Sequence, residues 1–273
     1  MSTRTGERSA SIDSPSSYIN RELSWLAFAR RVLALAEDPA EPLLERVKFA
    51  GIMGMIYDEF AMKRIGGLRR QLERGKSTPG PDGMTPAEEL SACRAELFAQ
   101  ARLISRLVER ELRPALAAEG LPIRDVLDLD EAARDRLRAV FRDTIEPILP
   151  PLAVDAAHPF PFISNLGLNI AVRVREGSRP RSRFVRIKVP PNRPRWVPLP
   201  GGKGFVPLEQ VIALNLSDMF PDADEIEHSF FRVTRGAKDD PWSHVETEEE
   251  RDFSPGALLG MVTAELTARK YAG

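Results

Sequence analysis

The apolar spacing of this chain changes character at Pro150-Pro151, and that change limits the fold more than any other feature. Upstream, apolar residues recur at three- and four-residue steps, which places them on one face of a helix. Downstream they alternate, as in Leu168-Asn169-Ile170-Ala171-Val172-Arg173-Val174 and Phe184-Val185-Arg186-Ile187-Lys188-Val189, the spacing of strands covered on one side. A single sheet or a single bundle cannot carry both patterns. The expectation is an α+β multidomain chain: an N-terminal antiparallel three-helix domain, then a mixed α+β domain with mostly antiparallel strands.

The first helix is expected over residues 18–37, with Trp25, Phe28, Val32 and Leu35 as its apolar stripe. Proline at 39 and 42 ends it. A second helix should run from Leu43 to about Arg74. Its stretch from Phe49 to Tyr57 is apolar nearly all round, which predicts a buried middle. Gly51, Gly54, Gly66 and Gly67 weaken it, by about 1 kcal/mol each against alanine, unless they allow close helix approach. After a Gly/Pro loop over Gly75–Gly83, Thr85 reads as an N-cap with Pro86 at the first helical position and Glu88 as capping-box partner. That third helix extends to about Leu116, with Leu90, Leu97, Leu103, Leu107 and Leu112 inward, and Gly120 stops it.

One more helix is expected from Asp130 to Ile148. Arg195–Leu199, Phe205-Val206 and Ser229–Thr234 are further strand candidates, Pro207–Leu216 a helix, and Ser254-Pro255 the start of a last helix reaching about Lys270. The expected organisation is a disordered leader over residues 1–17, a helical domain over 18–120 and an α+β domain over 121–273.

Composition removes several functions. The 273 residues hold 39 Lys plus Arg and 40 Asp plus Glu, a formal charge of −1, which argues against nucleic acid as a partner. A single cysteine, Cys93, allows no intrachain disulfide and no cysteine-rich zinc site. No apolar run approaches the roughly 20 residues of a membrane span, and Met1–Ser17 lacks the apolar core of a signal peptide. A cytoplasmic location follows as the expectation.

No complete active site is visible in the residues alone. Gly201-Gly202-Lys203-Gly204 lacks the spacing of a phosphate-binding loop and reads as a hairpin turn. His158, His228 and His244 have no partner at ligand or triad spacing. Asp58-Glu59 precedes Lys63-Arg64, either as a polar face with a Glu59–Lys63 pair or as the lining of a charged cleft. Arg173, Arg175, Arg183, Arg186 and Lys188 alternate along two strands, either as a solvated face or as a guide for a polyanion.

Several strings resemble one family. Tyr18-Ile19-Asn20-Arg21-Glu22-Leu23-Ser24-Trp25-Leu26 is similar to the opening of bacterial polyphosphate kinases of the ATP-dependent, histidine-phosphorylated type. Leu44–Phe49 and Asp58–Leu68 resemble that family's next block. Pro151–Asp155, His158–Leu166 and Phe231–Arg235 resemble its head domain. The resemblance implies transfer of the terminal phosphate of ATP to polyphosphate, with ATP and magnesium as requirements of the full-length family and homo-oligomer contacts through the head domain. Phe160, Phe162 and Ile163 are the candidates for an apolar contact patch there.

The resemblance covers only the family's first two domains. The phosphorylated histidine and the magnesium site belong to its C-terminal half, so no catalytic or metal residue is assigned in this chain, and it is expected to be inactive alone. Ile56 aligns with the family's adenine-contacting asparagine, and its side chain cannot hydrogen-bond. Lys238–Phe253 also departs, reading as a loop where the family continues into a short strand. Three readings stay open: part of a polyphosphate kinase, either as a gene fragment or as one half of a split enzyme with a separate C-terminal catalytic half as partner; a non-enzymatic paralogue acting as a binding or assembly module; and a polyanion-binding module using the arginine strands.

Overall fold

The computed structural model describes residues 14–149, the backbone of 152–154, and residues 163–176 and 182–236. Most of the expected leader, His158, His244, Phe160, Phe162, the Lys238–Phe253 segment and the final helix lie outside these residues. The chain divides into two compact units, one reaching Val108 and including Arg235 and Gly236, the other Glu109–Thr234.

The first unit is built on α1 (Arg21–Glu37), α2 (Leu43–Phe60), a π-helical turn (Ala61–Ile65) leading directly into α3 (Gly66–Glu73), and α4 (Pro86–Leu107). Thr85 and Glu88 form the expected reciprocal cap of α4, with Pro86 in its first turn. The third helix runs on through a second π turn (Val108–Leu112) into α5 (Arg113–Ala118). Gly120, at φ +79°, then closes it. The Leu121 amide reaches the Leu116 carbonyl and the Gly120 amide the Ala117 carbonyl, which satisfies the end of the ladder.

Two details differ from expectation. The buried stripe of α1 is Glu22, Leu26, Ala29, Leu33 and Ala36, one residue on from the expected one, and Phe28 and Leu35 are exposed. Trp25 instead stacks on Phe60 at the flank, with ring centroids 4.9 Å apart. The alanines on the buried line are small enough to let neighbouring helices approach. The middle of α2 is not sealed either: of its residues only Met53 and Phe60 are buried, and Met55 is 65% exposed. Two helices of this unit cannot cover all sides of a third. On α4 the fully buried positions are Pro86, Cys93, Gln100 and Leu107, seven apart, while Leu90, Leu97 and Leu103 are half-buried. Close approach falls at Gly66, where a Cβ would stand 3.1 Å from the Gly236 Cα; Gly51 and Gly54 have nothing within 4 Å.

The second unit holds α6 (Glu131–Val140), capped by Asp130, and continues through a π turn (Phe141–Ile145). Then come β1 (Leu152–Val154), β2 (Leu168–Arg175), β3 (Arg183–Lys188), β4 (Trp196–Pro198), β5 (Phe205–Pro207), α7 (Leu208–Leu214), α8 (Leu216–Met219) and β6 (Glu225–Arg232). β1 was not expected as a strand; three residues directly after two prolines carry too short a pattern to read. The main sheet has the order β1-β3-β2-β6, antiparallel throughout. Ile170, Val172 and Val174 on β2 and Val185 and Ile187 on β3 join Leu137, Phe141 and Ile145, and Leu208, Val211 and Ile212, in one core. Ile163 is buried rather than part of an exposed patch.

β4 and β5 pair antiparallel, so the glycine-rich segment is the hairpin turn expected. Gly201, Gly202 and Gly204 have φ of +70°, +70° and +109°, values that glycine adopts without steric cost. The Phe205 amide donates to the Pro122 carbonyl and the Arg124 amide to the Phe205 carbonyl, which binds the turn to the segment after Gly120.

Candidate functional site

The larger cleft of the first unit, about 690 Å³, lies at the start of α1 against α3 and the Gly75–Gly83 loop. Asn20 organises it. Its Oδ1 caps α1 by accepting from the Leu23 amide at 2.9 Å. Its Nδ2 then donates to Asp82 at 2.6 Å and to Glu89 at 2.9 Å. One residue thereby ties a helix start, a loop and the first turn of α4. Glu22, 5% exposed, sits in the first turn of α1, where the helix dipole favours an anion. Arg21 reaches its Oε1 at 2.6 Å and Arg64 its Oε2 at 3.4 Å. Lys63, also on the cleft, pairs with Glu59 at 2.6 Å, as the i,i+4 spacing implied. Lys76 adds a further cation to the lining.

A second cleft, about 470 Å³, runs between α2 and α4 beside Tyr57, Asp58, Arg69, Arg94 and Phe98. The Tyr57 hydroxyl donates to Gln100 Oε1 at 3.1 Å, and Gln100 Nε2 donates to the Leu26 carbonyl at 2.9 Å and to Glu96 at 2.6 Å. Burial, with the Glu96 charge adding and Arg30 opposing, pushes the Tyr57 hydroxyl up to about 12. It is therefore a fixed neutral donor near neutral pH. A raised folded value stabilises fully below the ordinary value near 10 and is lost as pH rises through about 12. Thermal unfolding between those pH values should show a loss of stability that Tyr57→Phe reduces.

Ile56 is half-buried on α2 and is not among the residues lining either cleft. Cys93 is buried and its thiol is pushed up to about 12, first by burial, which makes it inert. His228 lies on β6, edge-on to Phe230 at 5.5 Å. The strand arginines separate into two groups. Arg173 and Arg175 pair with Glu227 and Glu225 across the β2–β6 ladder at 2.5 and 2.6 Å, and Arg183 pairs with Glu176 at 3.2 Å. Arg186, read from the alternation as part of a solvated face or as a guide for a polyanion, is buried. Among the described residues no three His, Cys, Asp or Glu side chains stand together in a way that could hold a metal ion. Hydrogen-bonding and charged side chains line both clefts, chemistry that suits binding and positioning.

The sequence model of the polyphosphate kinase N-terminal domain matches residues 18–124, and that of the polyphosphate kinase middle domain matches residues 132–272. The chain belongs to the polyphosphate kinase family. It is 43% identical over 265 residues to the polyphosphate kinase of Mycobacterium avium, covering 93% of this chain and 35% of that protein. The Mycobacterium tuberculosis polyphosphate kinase is likewise 43% identical, over 268 residues. The crystal structure of polyphosphate kinase from Porphyromonas gingivalis aligns with a TM-score of 0.65 at 25% identity, covering 79% of this chain and 34% of that one. The chain thus spans about a third of the length of the polyphosphate kinases it matches.

Two of the strings that resemble polyphosphate kinases meet in the larger cleft: Tyr18–Glu22 on one wall, Lys63, Arg64, Gly67 and Leu68 on the other. The roles of Asp82, Glu89 and Gln100 were missed from sequence. Asn20 carried a readable signal, as an N-cap residue ahead of an apolar repeat. Its second set of bonds did not, because it depends on the loop returning over the helix start.

Proposed function

We propose that this chain is the N-terminal and middle portion of an enzyme that transfers the terminal phosphate of ATP to polyphosphate, and that it does not catalyse that reaction alone. The observation that carries the reading is the ordered match to both polyphosphate kinase domains along one chain that spans 35% of its relatives. Phosphoryl transfer needs an in-line nucleophile and concentrated positive charge at the transferring group. Among the described residues the cations of the larger cleft are largely committed to Glu22 and Glu59. Magnesium is assigned no ligand in this chain; among the described residues no three His, Cys, Asp or Glu side chains stand together. In this reading the first unit is a cover for the nucleotide site and the middle domain carries self-association.

Purified chain given ATP, magnesium and a polyphosphate primer should give no chain growth and no acid-labile phosphohistidine. Growth above a heat-killed control would overturn the reading. Ile56 favours one second reading, a binding module without nucleotide recognition, since an apolar side chain stands where the family's adenine contact is expected.

A further inference from the structure

The outer face of the main sheet in the second unit changes character along its length. Val185 and Ile187 point to the core, so Arg186 and Lys188 share the opposite face with Asn169, Ala171, Arg173 and Arg175 of β2. At one end Arg173 and Arg175 are exposed and neutralised by Glu227 and Glu225. At the other end Asn169 is fully buried and Arg186 is 5% exposed. Arg186 Nε donates to Asn169 Oδ1 at 2.8 Å. That is its only hydrogen bond among the described residues, and no carboxylate accompanies it. Asn169 is itself oriented by its Nδ2 bond to the Gly167 carbonyl at 2.7 Å. The turn below is tight: Leu166 holds φ +60° without being glycine, and a Cβ on Gly167 would meet Ser164 Oγ at 2.6 Å. Ser164 Oγ is itself buried without a partner. Lys188, the ladder neighbour of Asn169, has no ion pair among the described residues and is exposed.

A buried guanidinium without a counter-charge is costly. Its fork of parallel donors matches an oxyanion. We propose that Arg186, oriented by Asn169 and with Lys188 at its rim, forms an oxyanion site on the outer face of the middle-domain sheet that takes phosphate groups of a polyphosphate chain. Phosphate is favoured over a protein carboxylate because, among the described residues, two cations, Arg186 and Lys188, remain uncompensated on this stretch of the face, more charge than one carboxylate carries. The choice of polyphosphate rests on the function proposed above. The oxyanion site itself does not, because it is read by binding to this chain without turnover.

The test is calorimetric titration of the full chain with medium-length polyphosphate, with orthophosphate and with an acidic peptide, at two salt concentrations. Polyphosphate should bind, more weakly at high salt. Arg186→Gln should weaken it about tenfold or more, since bonds to a charged donor are lost. Lys188→Gln, at an exposed position that leaves the fold intact, should weaken it by a smaller factor and reduce the salt dependence. Arginine Nε–Hε resonances provide a readout independent of folding: the Arg186 signal should shift on titration of the unmutated chain. Equal occupancy by orthophosphate would keep the oxyanion site and remove the preference for a chain. Binding of the acidic peptide alone, or an Arg186 signal indifferent to all three, would overturn the proposal.

Discussion

Replacing Gly204 with alanine should destabilise the second unit by about 3 kcal/mol or more, among the larger effects a single substitution produces. At φ +109° the residue holds a conformation that side chains rarely adopt. A Cβ there would stand 2.2 Å from the Pro122 carbonyl oxygen. That atom is backbone and accepts the Phe205 amide, so it cannot move aside without breaking the attachment of the β4–β5 hairpin. Gly201 is the control. It too has positive φ, at +70°, but nothing lies within 4 Å of its Cβ position. Gly201→Ala should cost about 1–2 kcal/mol, the ordinary left-handed penalty. Hydrogen exchange of the Phe205 and Arg124 amides, read alongside thermal unfolding, separates the two. Equal costs would remove the clash from the account.

Gln100→Leu should cost the first unit about 1–3 kcal/mol despite conserving volume and adding apolar surface. The amide side chain joins three helices, accepting from Tyr57 on α2 and donating to the Leu26 carbonyl on α1 from its own place on α4. Leucine would leave the partly buried Tyr57 hydroxyl without its acceptor, at about 1–3 kcal/mol for a buried group so stranded, and would remove the second bond to the Leu26 carbonyl, which keeps its helical partner within α1. Tyr57→Phe removes that orphan, so the double variant should be less destabilised than the two single losses added together. Strict additivity in denaturant unfolding would mean the three groups are not coupled.

The fold was legible where local chemistry decides it. Thr85, Pro86 and Glu88 specify a helix start by bonds they make among themselves, and the cap formed as read. Leu168–Arg175 and Arg183–Lys188 alternate cleanly because one face packs on α6 and α7. What failed depends on neighbours in space. The α1 stripe was read from its largest side chains, yet the helix turns Ala29 and Ala36 inward because close packing selects small residues there. Arg186 alternates with the core positions of β3, as a solvated face or a polyanion guide requires; the closing of that end of the face was not visible in the pattern. In the larger cleft two of the family-like strings supply facing walls, whereas Asp82 and Glu89 enter through the Asn20 amide, a link that no local pattern carries.

The most direct measurement adds to this chain, separately expressed, the C-terminal two-thirds of a relative such as the Mycobacterium avium polyphosphate kinase. Polyphosphate growth is then followed from ATP and magnesium. The account predicts no synthesis from either piece alone and synthesis when the two are mixed. Absence of synthesis from the mixture, with both pieces folded and physically associated, would contradict it.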